Sequence, residues 1–539
     1  MKRSNTQARV QSAKKIKDKQ ISYNPTIREC INDNFLVAVF KKNNIQAEKD
    51  EFQEYLCDRG RSYEIEVIEY IQNNIHPVVS VEGKINIESC KKTLELINSK
   101  TPFIHSAKFC NNIRTGEIDL LVLSSYMHLL DNTIAIDRNF EPYYIVFEIK
   151  NFKFEKIKNT KWIRNSQNIQ AAKGQCYYYV KMINSILSNN HYKAYIIPGP
   201  TAELGIKNIG EMDYEGIDND YIRKVDLGEK AAKKLNKEYI NIDIDNIKDT
   251  PYLYPNMKCN STGYNNIKEK IAIDIGEHTL ISGVSQKAKR KAHNKGIYSF
   301  KDLKYTPEQI VISYGYENSK CFNRIKNTIM VNRNNYSEII MWKNKESNHN
   351  PFEQYKNQNK IFLDFETLND KIFLSGFYYN DSETWKFYKY ISEDINNSSE
   401  TMVLEDFHKI YKKLGGPFIL YWSADYRIYQ RACKRNNIEN TIDEEKWIDM
   451  CNIFTKNDLA IKYCYDYKLK RISEAMTKLG LINCVNNSSC SNGTDAITHA
   501  DNLYNANTSF EDKLKLQESI IEYNKLDCFM ILEIFKYFM

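Results

Sequence analysis

Apolar and polar positions alternate along the chain in a way that predicts strands and helices in mixed order. A helical period runs through Tyr63 to Ile71, followed by two β-like runs, Gly116 to Leu123 and Tyr143 to Ile149. A helix is predicted from about Asn168 to Leu187, then a strand over Ala194 to Ile197 that Pro198-Gly199-Pro200 stops. Residues 251–350 read as mixed helix and loop, and 349–360 as a linker. A new strand opens at Ile361, and from there strands alternate with helices to a last helix carrying Tyr523 and Asp527. The Asn- and Ser-rich patch at 483–493 reads as a surface loop, and no internal repeat is visible.

This pattern is α/β, and the 539 residues allow three to four domains at about 150 residues each. The boundaries fall at a basic flexible tail over 1–21, an α/β domain over 22–250, a connecting module over 251–350 and a second α/β domain over 351–539. The tail's Lys2-Arg3 and Lys14-Lys15-Ile16-Lys17 read as a solvated terminus, with a bipartite nuclear signal or a phosphate-contacting arm as alternatives. No uninterrupted apolar run reaches about 18 residues, so no membrane partner is expected. A basic opening excludes a secretory signal, and 13 cysteines without framework spacing fit a reducing, intracellular compartment. The net charge of +7 permits an anionic partner without identifying one. The wealth of Asn, Ile, Lys and Tyr fits an AT-rich genome.

Chemistry enters with the carboxylates. Gly116-Glu117-Ile118-Asp119 places an acid inside an apolar strand, which is costly unless the acid is paired or binds a metal. Glu148 and Lys150 close the next apolar run, and as i and i+2 they share a strand face. An Asp and a Glu that converge can hold a hard divalent cation, while a neighbouring Lys can orient or polarise a water for attack on a phosphodiester. This order resembles the D…E-x-K pattern of the PD-(D/E)XK nucleases. Glu64, in Gly60-Arg61-Ser62-Tyr63-Glu64, resembles the metal-facing Glu of the RecB-type entry helix, and Gln175 with Tyr179 resembles the RecB Q-x-x-x-Y signature. The competing readings are an exposed cross-strand ion pair for Glu148 and Lys150, and an ordinary helix surface for Gln175 and Tyr179. Asp137 lies in a polar, loop-like stretch and ranks below Asp119.

In the basic middle, Thr279 to Ser285 followed by a lysine-rich helix resembles a helix-hairpin-helix element. Such an element presents amides to phosphates, with Lys287, Arg290 and Lys291 adding charge. The alternative is a solvated basic face. No Cys/His cluster suggests zinc or iron–sulfur ligation.

A second acidic set begins with Asp364 and Glu366 on one strand face, continues with Asp425 at a strand end, and finishes with Tyr523 and Asp527 four apart on a helix. Like charges so placed need a cation or a proton. The order resembles the DEDD exonucleases of the RNase H-like fold, in which four acids hold two divalent ions about 4 Å apart and the Tyr positions the attacking water. Asp449 and the Lys468-Leu469-Lys470 segment match secondary landmarks of that group. Asp425 departs from the usual pattern, and a helix N-cap is its alternative reading.

From about residue 25 onward the chain resembles a family of fused RecB-like PD-(D/E)XK and RNase H-like predicted nucleases, in a form similar to those of giant viruses. The resemblance implies a restriction-endonuclease-like domain, a helix-hairpin-helix-like helical linker and an RNase H-like domain. It also implies Mg²⁺ or Mn²⁺ as cofactor, with Glu64, Asp119, Glu148, Asp364, Glu366, Asp425 and Asp527 as metal ligands. Lys150, Gln175, Tyr179 and Tyr523 would be the other catalytic residues. DNA or RNA is the expected partner. No G-x-x-x-x-G-K-S/T segment is present, so unwinding would fall to a helicase partner. A viral origin would place the protein in host cytoplasm or virion. The competing hypothesis is a nucleic-acid-binding or assembly scaffold with one or both sites degenerate, and the sequence sets no oligomeric state.

Overall fold

The computed structural model describes residues 26–49, 51–110, 114–132, 141–166, 169–187, 190–200, 204–238, 244–261, 263–343, 350–382, 384–484, 490 and 493–539. The basic tail, Asp137, Asn168 and most of the Asn- and Ser-rich patch lie outside these residues. The chain is mixed α/β and divides into two compact units, one reaching to Pro255 with Cys259–Asn266, the other comprising Asn256–Lys258 with Ile267–Met539. Most of the basic middle thus groups with the second unit. Among the described residues, no helix is long and apolar enough to cross a membrane. None of the thirteen cysteines is in a disulfide.

The first unit holds a six-stranded sheet of β1 (Val79–Ser80), β2 (Phe103–Cys110), β3 (Thr115–Leu123), β4 (Tyr144–Lys150), β5 (Ala194–Pro198) and β6 (Gly210–Glu211), paired in sequence order. β2, β3 and β4 are antiparallel, while β4 and β5 are parallel. Its helices include α1 (Thr26–Ile31), α2 (Phe35–Lys42), α3 (Glu51–Asn74) and α4 (Gln170–Leu187). Strand alternation sorts β4 between two cores. Tyr144 and Val146 pack with Tyr177 to Val180 of α4. Ile145, Phe147 and Ile149 pack with Tyr63, Val67 and Ile71 of α3. Covering on both faces explains the nearly continuous apolar run. α3 begins well before the apolar period at Tyr63, because its first turns are largely exposed and carry no burial pattern to read.

The second unit holds a two-stranded sheet of β7 (Ile340–Met341) and β13 (Ala460–Ile461). Its five-stranded sheet comprises β8 (Lys360–Leu368), β9 (Lys371–Asp381), β10 (Thr384–Ile391), β11 (Phe418–Tyr421) and β12 (Trp447–Asp449), in the order β10-β9-β8-β11-β12. β8, β9 and β10 form an antiparallel meander, and β11 joins β8 and β12 in parallel. The helices of this unit include α5 (Gln286–Asn294), α6 (Asp425–Asn436), α7 (Leu469–Lys478) and α8 (Phe510–Tyr537).

Around α5 lies a small core with a neutral histidine inside it. His278 is fully buried, with Nε2 3.0 Å from the Ile297 carbonyl and Nδ1 2.7 Å from the Tyr314 hydroxyl. A carbonyl only accepts, so Nε2 carries the hydrogen and Nδ1 accepts from Tyr314. Burial pushes His278 down to about 3, and burial with Lys289 and His278 nearby does the same to His293. The two rings lie 5.6 Å apart between centroids.

An unfolded chain takes up protons that these two sites refuse. Their contribution is therefore complete above the ordinary histidine value of about 6.5 and is lost as the pH falls toward 3. Denaturant unfolding followed across this range is expected to lose about 1.4 kcal/mol per pH unit for each histidine. The slope should flatten in His278→Gln, and an unchanged slope would contradict the assignment.

Two candidate acidic centres

The first centre forms where a ladder fails. β3 and β4 pair regularly as far as Leu120 with Phe147. Beyond that point the Ile149 amide donates to Asp119 Oδ2 at 2.8 Å, so a side chain takes the place of a strand carbonyl. The ladder with β2 also omits Asp119, between the pairs His105–Leu120 and Ala107–Ile118. The residue that would face it, Ser106, has a φ of 54°. A non-glycine residue held there costs about 1–3 kcal/mol and persists only where its surroundings over-determine it.

Glu148 is fully buried, so its pairing with Lys150 is internal and not an exposed cross-strand bridge. Lys150 Nζ lies 2.5 Å from Glu148 Oε2 and 3.2 Å from Asp119 Oδ2. The approach to Glu148 is off the hydrogen-bonding direction, which leaves both of its oxygens without an aligned donor. Burial, reinforced by the Asp119 charge, pushes the Glu148 carboxyl up to about 8 against the pull of Lys150. Burial disfavours the Lys150 ammonium, but Glu148 and Asp119 outweigh it and hold the group above the ordinary lysine value.

A cavity of about 410 Å³ brings Glu64, Asp119, Gln175 and Tyr179 together, with Arg28 and Lys41 also in its lining. Gln175 Nε2 donates to the Tyr179 hydroxyl at 3.0 Å, as their spacing of one helical turn allows. Glu64 Oε1 lies 3.0 Å from His105 Nε2. Glu148 and Lys150 are not in the lining and reach it through Asp119.

The second centre is built by alternation along β8. Ile361, Leu363 and Phe365 enter one core with Phe407. Phe362 packs on the opposite face against Phe535 of α8, and Asp364 and Glu366 share its parity. Asp364 pairs across the ladder with Gly376 of β9. A methyl at Gly376 would lie 1.8 Å from Asn524 Oδ1, so only glycine admits α8 at this depth. Asn524 Nδ2 then donates to the Asp364 carbonyl at 3.0 Å and to its Oδ2 at 2.8 Å. Cys528 Sγ reaches the Gly376 carbonyl at 3.2 Å. Tyr523 and Asp527, one turn apart, come with the same helix and are buried.

Among the described residues, Asp364, Glu366 and Asp527 form one group of acids with ligand oxygens all within 4.8 Å of one another, so a metal ion could be held there. Glu64, Asp119 and Glu148 form no such group, and Lys150 already offsets two of them. Glu366 Oε1 and Asp527 Oδ1 are buried without a hydrogen-bond partner. Asp425 is the first residue of α6, not its cap, and its Oδ1 accepts from the Phe365 amide at 3.1 Å. Asp449 instead caps a helix, accepting from Asn452 N at 3.2 Å and from Ser423 N at 3.0 Å.

All four acids are pushed toward the protonated form. Burial, then Glu366, Asp425 and Asp527, holds Asp364 well above the carboxylate range. Burial and Asp527 raise Glu366 to about 8, and burial raises Asp425 to about 7 against the Phe365 amide. Asp527 rises only to about 6, because Lys470 of α7 opposes its burial. Lys470 Nζ lies 4.1 Å from the Tyr523 ring centroid. Burial and Asp527 keep the Tyr523 hydroxyl protonated.

The basic helix α5 is divided by burial. Ser285 caps it, accepting from Ala288 N at 3.2 Å, after a turn in which Gly283 has a φ of 88°. Lys289 points inward to Glu277 at 3.0 Å, while Lys287, Arg290 and Lys291 are exposed.

Asn524, Gly376, Arg28 and Lys41 were not among the residues expected from sequence. An isolated glycine inside a strand pattern is a signal for close backbone approach and could have drawn attention to Gly376. Asn524 has no comparable signature. Gly376→Ala is expected to destabilise the protein by about 1–3 kcal/mol and to weaken divalent-ion binding at the second centre. Gly60→Ala, in the exposed part of α3 with nothing within 4 Å of the new methyl, is the control. It should gain about 0.5–1 kcal/mol, and equal effects in denaturant unfolding and Mn²⁺ titration would contradict the role given to Gly376.

Against known proteins, the chain matches no family model, no curated protein and no solved structure.

Proposed function

We propose that this protein is a metal-dependent nuclease with two centres. The observation that carries the reading is the Asp364, Glu366 and Asp527 cluster, whose converging carboxylates include two buried oxygens without partners. Negative charge gathered in this way calls for a hard divalent cation, and an all-oxygen donor set suits Mg²⁺ or Mn²⁺. Asp364, Glu366 and Asp527 would hold it, with Asp425 completing the four-acid set. When bound, such an ion polarises a phosphodiester and stabilises the charge on the leaving oxygen. Tyr523 keeps its proton and can orient the attacking water. Asn524 fixes the Asp364 carboxylate against β8. The acid-bearing strand, the hairpin behind it and the third acid after a parallel strand support an RNase H-like, DEDD-type assignment, hence cleavage from a 3′ end.

In the first unit, Asp119 and Glu64 face the cavity while Lys150 stays protonated beside Asp119. That set supports a RecB-like PD-(D/E)XK centre in which Lys150 supplies positive charge to the phosphate. Exposed Lys287, Arg290 and Lys291 would grip backbone phosphates irrespective of sequence. One observation favours a second reading for the first centre alone. Lys150 already pairs with Asp119 and Glu148, so this centre could bind nucleic acid without cutting it.

Labelled single- and double-stranded DNA and RNA, incubated with Mg²⁺ or Mn²⁺, test both readings. Glu148→Ala and Asp364→Ala are each expected to remove a distinct cleavage activity by about 100-fold or more. Two variants that cut like the parent would refute the two-centre reading. A parent that cuts nothing but retards DNA would leave the scaffold reading in its place.

A further inference from the structure

The cavity of the first unit carries more than the acids assigned to catalysis. Two cations join its lining, Arg28 from α1 and Lys41 from α2. They are not equivalent. Lys41 Nζ is committed to Glu29 Oε1 at 2.5 Å, and Glu29 also accepts from Asn34 Nδ2 at 2.6 Å. The Arg28 side chain is exposed and has no ion pair or side-chain hydrogen bond among the described residues. A planar guanidinium with a free donor fork matches two oxygens of one phosphate. In this cavity it shares the space with Glu64 and Asp119, which repel a phosphate on their own.

Resting on the nuclease reading of the first centre, we propose that Arg28 clamps a backbone phosphate next to that centre, and that the cavity receives a single nucleic-acid strand and not a duplex. At about 410 Å³ the cavity is near the lower end of the range that holds small organic ligands. That is room for a nucleotide threaded past Asp119. A base-paired step is too large to enter a space of this size, so a duplex could only lie across its mouth, whereas an unpaired nucleotide can enter. An arginine on the helical side and carboxylates on α3 and β3 would fix the strand at two kinds of contact. The guanidinium holds one phosphate by charge and hydrogen bonds, and the acids engage the scissile phosphate only through a bound cation. Arg28 is a specificity and binding residue in this scheme, and the exposed lysines of α5 are not part of it.

The test uses the full chain carrying Asp364→Ala, so that cleavage reports the first centre. A labelled single-stranded oligonucleotide is compared with a blunt hairpin of the same sequence. Binding is followed by fluorescence anisotropy in Ca²⁺, and cleavage in Mg²⁺ or Mn²⁺. The single strand is expected to bind and be cut at least tenfold better than the hairpin. Arg28→Ala should raise Kd and KM for the single strand about tenfold with little change in kcat, and Arg28→Lys should recover part of the loss. Thermal melting should show the variants folded like the parent, since Arg28 is exposed. A hairpin handled as well as the single strand, or an Arg28→Ala affinity within twofold of the parent, would overturn the proposal. Arg28-dependent preference for the single strand without any cleavage would support the binding proposal while refuting the nuclease reading of the first centre.

Discussion

A carboxylate taken out of water must find a positive charge, a set of donors or a proton, and this demand organises both centres. They meet it in different ways. Lys150 reaches both Asp119 and Glu148, so the first centre carries its own counter-charge. At the second, Asn524 and the Phe365 amide supply donors to Asp364 and Asp425, while Lys470 acts on Asp527 and oxygens of Glu366 and Asp527 stay unpartnered. One site holds a lysine between two of its acids, and the other meets its acids mainly with neutral donors.

In each unit the backbone yields to seat these groups. Asp119 drops out of both ladders of β3, with Ser106 in a left-handed conformation where its pair would be. Gly376 gives up a side chain so that α8 can lie against the β8–β9 hairpin. The broken ladder and the missing side chain both coincide with the acids, as expected where local regularity is exchanged for a site.

Much of this was legible in the sequence. Short β-like apolar runs located β3, β4 and β8, and i/i+4 spacing put Gln175 with Tyr179 and Tyr523 with Asp527. Both signals are local, and burial enforces them strongly. The length of α3 was not legible, because its exposed first turns leave no apolar trace. Asp425 is not the N-cap of α6, and its partner, the Phe365 amide, lies 60 positions away, outside the reach of any local spacing. Lys289 looked like its neighbours on α5, yet it is the one committed to Glu277, since a basic run does not say which lysine faces a buried acid. Gly376 and Asn524 matter through each other and through Asp364, far apart in the chain, which no short window can contain.

The bond from Asn524 to Asp364 joins residues 160 positions apart. The entropy of closing such a loop grows only slowly with its length, by about 0.6 kcal/mol per doubling. The search for it, however, slows folding when contacts are this distant. The β8–β9 hairpin can form from its own neighbours, whereas its acids gather with Asp527 only once α8 docks. The second centre therefore depends on α8 being docked, and a chain with the hairpin formed but α8 undocked would have its sheet without the ability to concentrate charge at one point.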